Sequence, residues 1–264
     1  MKKAVNAQLK HIRGLLKEKQ TRDASDVFVA EGLKTVRDIA AKGHVIDSVL
    51  VSDSFAENKG NRILLEHFDK RGAALFQTAD TGFKKTSSLM HPEGILVLVK
   101  KIPLKHAALD KKTALIVLCD GIQDPGNLGA IIRTSAAFGA DQLILTGESV
   151  DAYNPKVVRS SSGTILDIPI SSFQYCEIDR LRKAGYCLYA SQINVKKGMD
   201  ISKIKNISLR SIIAFGSEGK GLSDEICRRA DEFFYIPIAE NVESLNVTAT
   251  AAISLYAFGK MNFC

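Results

Sequence analysis

Apolar positions along the chain switch repeatedly between two spacings, and each switch predicts a change of element. Val5, Leu9, Ile12, Leu15 and Leu16 share one side of a helix over residues 5–20, with Lys10, Arg13, Lys17 and Lys19 around the rest. Residues 21–25 are polar and read as a loop. Val27–Val29 is a short strand, and Glu31-Gly32 leads into a helix over 33–42. A strand at 45–51, a helix at 61–71, a strand at 73–77, a helix at 80–90 and a strand at 95–99 follow. Strands alternating with helices in this way make a small α/β domain.

The second part repeats the rhythm with stronger signals. Thr113–Cys119 is an uninterrupted apolar run, rich enough in β-branched residues for a strand buried on both faces. The chain then turns through Gly121, Pro125 and Gly126. From Asn127 the spacing is helical, since Leu128, Ile131, Ile132, Ser135, Ala136 and Gly139 recur at three and four residues and leave Arg133 on another azimuth. Asn127 is placed to cap this helix. Further strands are predicted at 142–146, 186–190, 211–215 and 233–238, and helices at 155–162 and 177–184. A last helix over 244–261, rich in Ala, Ser and Thr and nearly free of charge, must be buried on most sides.

Polar information concentrates in three loops of this second part. The first is the turn before Asn127. The second, Gly216–Ser223, follows a strand and precedes a helix, and its glycines let the backbone approach a ligand closely. It matches neither a P-loop nor Gly-x-Gly-x-x-Gly. The third, Ile236–Asn246, runs from a strand into the last helix, where Ser244 or Asn246 could equally be a plain helix cap.

Composition narrows the chemistry. A chain of 264 residues with 45% apolar content can bury a sizeable core and is expected to form two domains. The polar stretch from Lys101, with Pro103, separates them; the division is 1–105, a linker at 106–112, and 113–264. Residues 1–110 hold 19 Lys and Arg against 13 Asp and Glu, whereas residues 111–264 hold 17 against 16. The excess of +6 in the first part, out of +7 overall, points to a polyanion, and without an amphipathic anchor nucleic acid is favoured over a membrane. Five cysteines, odd in number and without a Cys-x-x-Cys pair, argue against a disulfide framework or a zinc site and are expected to be reduced and mostly buried. No signal peptide or membrane-spanning run is apparent, so a soluble cytoplasmic protein is expected. All five histidines precede residue 107. The second part therefore cannot contain a Ser-His-Asp device or a histidine metal centre and must work through arginine, carboxylate, amide, hydroxyl and backbone groups.

Asn127-Leu-Gly-Ala-Ile-Ile-Arg133-Thr with Phe138-Gly139, then Phe215-Gly-Ser-Glu218-Gly-Lys-Gly221-Leu, then Ile236-Pro-Ile with Ser244-Leu-Asn246-Val, resemble in order and spacing the three motifs of the SpoU (TrmH-like) RNA ribose 2′-O-methyltransferases of the SPOUT superfamily. Residues 1–100 resemble the ribosomal-protein-like (L30e-like) RNA-binding domain often fused ahead of that catalytic domain. The resemblance implies a trefoil-knotted α/β domain that binds S-adenosylmethionine and works as a homodimer. It implies cofactor contacts at Gly216, Ile236, Ile238 and Leu245, catalytic roles for Asn127, Arg133, Glu218, Ser244 and Asn246, and no metal. The implied substrate is a ribose 2′-hydroxyl, with 23S ribosomal RNA first, and tRNA or a non-catalytic RNA-binding adaptor as alternatives. Arg133 would grip a phosphate and stabilise the attacking oxygen. Since guanidinium holds its proton at neutral pH, a phosphate oxygen, Glu218 or water is left to take the hydroxyl proton. The loop Ala239–Glu243 carries two acids where many relatives have glycine and a neutral residue.

Overall fold

The computed structural model describes residues 1–102, 111–193, 198–204 and 207–262. Most of the expected linker, residues 106–110, lies outside them. The described chain forms two compact units: Met1–Ile102 joined by Tyr153–Leu166, and the remainder.

The first unit contains β1 (Lys2–Lys3), α1 (Asn6–Lys17), α2 (Lys19–Asp23), β2 (Val27–Glu31), α3 (Leu33–Ala41), β3 (Ile46–Ser52), α4 (Asp53–Glu57), α5 (Arg62–Lys70), β4 (Ala74–Thr78), α6 (Asp80–Thr86) and β5 (Ile95–Lys100). Its sheet has the order β1-β4-β3-β5-β2, with β5 antiparallel to both neighbours. Strand alternation sorts the side chains by face. Val27, Val29, Leu50, Leu96 and Leu98 meet Ile12, Leu15 and Leu16 of α1 and Phe83 of α6. The alternate positions, Phe28 and Val97 among them, are also fully buried and face the side that α3 and α5 cover.

Two expectations for this unit change. The polar stretch 21–25 is partly helical, because Arg22 turns inward and its guanidinium donates to the Leu15 carbonyl at 3.0 Å. The helix expected over 80–90 stops at Thr86. Ser87 and Ser88 leave it to donate to the buried carboxylate of Glu31, Ser88 Oγ at 2.7 Å.

The second part of the chain adds β6 (Ala114–Asp120), α7 (Pro125–Ala137), β7 (Gln142–Thr146), α8 (Pro155–Ser160), β8 (Ile170–Ser172), α9 (Tyr175–Lys183), β9 (Cys187–Ser191), β10 (Met199–Asp200), β11 (Arg210–Gly216), α10 (Asp224–Arg229), β12 (Glu232–Tyr235) and α11 (Val247–Asn262). Of these, α8 belongs to the first unit. The other strands make a seven-stranded sheet, all parallel, in the order β10-β12-β9-β11-β6-β7-β8. A parallel sheet must be covered on both faces, which is why β6 reads as a continuous apolar run. Ile116, Leu118, Ile144, Leu188 and Ile212 pack with Ile178 and Leu181 of α9 and Ile226 of α10. On the other face α7 and α11 pack together.

Three boundaries shift for local reasons. The strand expected at 233–238 ends at Tyr235, ahead of Pro237, which has no N–H to give a ladder. α11 starts at Val247 rather than Ser244, because Asn246 accepts from the Thr248 N–H at 2.8 Å and caps it. α11 is buried at Ala251, Leu255 and Phe258 but leaves Ile253 41% and Tyr256 51% exposed, so one apolar side is uncovered. The expectation of mostly buried cysteines fails among the described residues. All four described cysteines are free, but only Cys119 is buried and Cys176 is exposed.

Candidate active site

β6 and β11 are central neighbours and end together, with Asp120 paired to Gly216. The two loops that leave their carboxyl ends therefore begin side by side, as ligand-binding loops of open parallel sheets do. α7 is capped by Asp124, whose side chain accepts the Asn127 N–H at 2.9 Å, with Pro125 in the first turn. Asn127 is thus not the cap expected from sequence. Its amide is left free to reach across, and Nδ2 donates to Oε1 of Glu218.

Glu218 sits in the loop that closes on itself after β11. Ser217 and Gly221 exchange backbone hydrogen bonds of 3.0 and 2.9 Å, and Gly221 takes φ of 67°. A Cβ on Gly216 would lie 2.1 Å from the carbonyl carbon of Gly221, so only glycine permits this closure. Below the loop lies Asp120, 2% exposed. It accepts from the Ser223 N–H at 2.8 Å, the Thr146 hydroxyl at 2.9 Å and the Tyr175 hydroxyl at 3.2 Å. Burial first, with the Asp120 charge also acting, raises the Tyr175 hydroxyl pKa, so it stays a proton donor to the carboxylate. Sequence reading passed over Asp120 as a site residue. Its signal was a carboxylate closing an otherwise apolar buried strand.

The glycine loop forms one wall of a cleft of about 860 Å³, and residues 236–247 form the other. Of the residues expected to act or to hold a cofactor, Gly216, Glu218, Ile236, Ile238, Ser244, Leu245 and Asn246 all line it, and Asn127 joins through Glu218. Within 236–246 the backbone bonds are Val242 N–H to the Ala239 carbonyl at 2.9 Å and the Asn246 carbonyl accepting the Thr250 N–H at 3.0 Å. Among the described residues the other N–H groups of this segment have no backbone partner, which leaves them to a ligand. Asn246 spends its Oδ1 on the cap of α11, and Ser244 is exposed. Gln192 and Thr250 also line the cleft, and nothing in their sequence neighbourhoods marked them.

Arg133 is not brought into this cleft. It is exposed on α7, about 9 Å further along the axis than Asn127 at 1.5 Å per residue. It makes no hydrogen bond or ion pair among the described residues. No group of three or more possible metal ligands occurs among the described residues, and no described helix is long and apolar enough to cross a membrane.

Comparison with known proteins bears on both units. The profile of the SpoU rRNA Methylase family matches residues 114–256, and that of the MRM3-like substrate binding domain matches residues 6–97. The chain is 28% identical over 242 residues to the 23S rRNA (guanosine(2553)-2′-O)-methyltransferase RlmP of Bacillus subtilis, covering 91% of this chain and 92% of that protein. It is 30% identical over 203 residues to an uncharacterized tRNA/rRNA methyltransferase of Synechocystis, covering 74% and 71%. Among solved structures, the AdoMet-bound rRNA methyltransferase of Sinorhizobium meliloti superposes with a TM-score of 0.80 at 27% identity, covering 100% of this chain and 98% of that one. The SpoU methyltransferase AviRb of Streptomyces viridochromogenes with AdoMet gives 0.82 at 25%, covering 97% and 98%.

Proposed function

Because the chain belongs to the SpoU rRNA Methylase family, we propose that it transfers a methyl group from S-adenosylmethionine to a ribose 2′-hydroxyl of 23S ribosomal RNA. The observation that carries this reading is the meeting of Glu218, Ser244 and Asn246 with Gly216, Ile236, Ile238 and Leu245 around one cleft. The activity of the Bacillus subtilis relative, which matches nearly end to end, supports the RNA and the atom.

The residues present fit the cofactor. The cleft has a volume within the range of small-molecule sites, about 300–1,000 Å³. It offers apolar side chains at Ile236, Ile238 and Leu245 beside unbonded backbone amides, the mixed lining an adenosyl group with a charged tail needs. Bound there, S-adenosylmethionine supplies an electrophilic methyl on a sulfonium. The protein's task is to hold the ribose oxygen in line with that carbon, a task of orientation that needs no histidine. Transfer to the 2′-oxygen would leave the hydroxyl proton to be taken up. Glu218, steadied by the Asn127 amide, is the acceptor we assign among the three glutamates, Glu218, Glu240 and Glu243, that line the cleft; a substrate phosphate oxygen or water is the alternative. Ser244 and the amide of Asn246 are the donors left to orient the ribose.

Arg133 completes this scheme as the clamp for the target phosphate. Its distance along α7 from Asn127 fits a site finished by a second copy of the chain. The uncovered stripe of Ile253 and Tyr256 on α11 is the face offered for a two-fold homodimer. Entry of β11 between β6 and β9, after the chain has already formed β7 and β8, supports a trefoil knot. We assign residues 1–105 as an L30e-like RNA-binding domain, 106–112 as the linker and 113–264 as the methyltransferase domain. The match of residues 6–97 to a substrate-binding domain supports the first of these.

The test is methyl transfer from labelled S-adenosylmethionine to deproteinised ribosomal RNA and, separately, to tRNA, followed by digestion to nucleosides. A 2′-O-methylnucleoside in 23S RNA is expected. Label on a base, or none in either RNA, would sink the proposal, and label in tRNA alone would replace its substrate.

A further inference from the structure

The first unit has a second concavity, unconnected with the cleft. A groove between α3 and α5 encloses about 340 Å³ and is lined by Arg37, Ala40, Gly60, Ile63, Leu64 and His67. His67 forms part of its wall, and Nε2 of that ring is buried with no hydrogen-bond partner among the described residues. A buried imidazole nitrogen left in this way loses its hydration without compensation, so a ligand that supplies a partner is favoured by more than the new bond alone. At the rim Ile63 is 81% exposed, a large apolar side chain held in water on the opposite side of α5 from the buried Leu65 and Phe68.

Charge around the groove is uncompensated and positive. Arg37 makes no hydrogen bond or ion pair among the described residues. Lys34, one turn earlier on α3, and Lys59, next to Gly60, are equally unpaired among them. Arg62, by contrast, is neutralised by Glu66 at 2.8 Å. A buried polar atom, an exposed apolar plate and three unpaired cations suit a ring with a polar edge and anions on either side. A peptide side chain would leave the cations idle.

We propose that this groove holds one unstacked nucleobase of the RNA strand. The His67 ring turns to bring Nε2 to the base edge, Ile63 covers its face, and Arg37, Lys34 and Lys59 hold the neighbouring phosphates. Single-stranded bases splayed from the backbone are what RNA-binding proteins read in this manner. The inference rests on the reading of residues 1–105 as the RNA-binding domain.

The experiment measures binding of a short single-stranded oligoribonucleotide, and of the same sequence as a duplex, to the full chain at several salt concentrations. Ile63→Asp, at an exposed position that spares the fold, and His67→Ala are each expected to weaken single-strand binding about tenfold, His67→Ala with an unchanged salt slope. Arg37→Ala should weaken it and lower the slope of log K against log salt by about one phosphate contact. A further readout is the His67 ring nitrogen resonance, which should shift on adding the single strand and not the duplex. If the wild-type chain binds RNA and both Ile63→Asp and His67→Ala bind as tightly, the groove is not the base site and the RNA reading survives. Equal losses on the duplex also overturn the groove, because a stacked base cannot enter it. A wild-type chain that binds no RNA overturns both readings.

Discussion

Replacing Gly216 by alanine tests whether the closed glycine loop is the wall of the cofactor cleft. The added Cβ would stand 2.1 Å from the carbonyl carbon of Gly221 and 2.2 Å from the nitrogen of Leu222. Both are backbone atoms, so no side chain can swing away to make room. The loop must open, which breaks the two backbone hydrogen bonds between Ser217 and Gly221, at 3.0 and 2.9 Å. At about 0.5–1.5 kcal/mol net for each, the cost is about 2 kcal/mol. For a domain of this size about 1 kcal/mol lowers the melting temperature by roughly 2–4 °C, so a fall of about 4–8 °C is expected by calorimetry. A loop moved by a bond length no longer presents its amides, and S-adenosylmethionine binding measured by titration calorimetry should weaken tenfold or more, about 1.4 kcal/mol.

Gly219 in the same loop is the control. A Cβ there meets nothing within 4 Å, and its φ is not in the left-handed region. Gly219→Ala should therefore keep or slightly raise the melting temperature, by limiting the unfolded chain. If Gly216→Ala melts and binds cofactor like wild type, the loop is not closed as described and the cleft has been assigned the wrong wall.

Arg133→Lys keeps the charge but removes the planar two-donor fork. It should lower turnover at least about a hundredfold with cofactor affinity near wild type. A change within a few-fold would remove Arg133 from the mechanism. Ile253→Glu with Tyr256→Glu, on the exposed side of α11, should give a monomer by light scattering and lose activity with it; a fully active monomer would refute the shared site. For Asp231, burial raises the carboxyl pKa, but the Arg182 hydrogen bond, the Leu188 N–H and the Arg182 charge outweigh it and hold the value below 3.8. A depressed carboxylate stabilises the fold above its unfolded pKa and stops doing so as pH falls through the folded value. Asp231→Asn should thus lower the melting temperature at neutral pH, with the deficit closing under acid; a deficit constant with pH would mean that Asp231 acts by packing alone.

Periodicity found the elements whose burial is one-sided or complete, because burial is what writes the pattern. β6, α7 and α3 fall within a residue or two of their expected places. It missed the short pieces whose partners lie far away in sequence. β1 is two exposed lysines that become a strand only by pairing with Phe76 and Gln77. β8 is three residues paired to β7. Such edges carry no local hydrophobic signal. Helix ends moved wherever a side chain outside the local window competed: Glu31 drew Ser87 and Ser88 away from α6, and Asp124 capped α7 in place of Asn127.

The same competition separates the parts of the site that sequence could show from those it could not. Asn127, Ser244 and Asn246 all look like helix caps, and a cap is sufficient reason for such residues at a helix start. The fold resolves the ambiguity differently at each. Asp124 takes the cap of α7, so Asn127 has no local duty and its amide goes to Glu218, 91 residues later. Asn246 does cap α11, yet only its oxygen is used, and its Nδ2 makes no bond among the described residues. Ser244 lies before the helix and is exposed in the cleft wall. Sequence therefore proposes the residues, and an account of which hydrogen-bonding groups the fold has already used narrows which remain for chemistry. Asp120 shows the converse. Its carboxylate is buried and bonded to Ser223, Thr146 and Tyr175, so it is withdrawn from any substrate; it holds together the loops we assign to one.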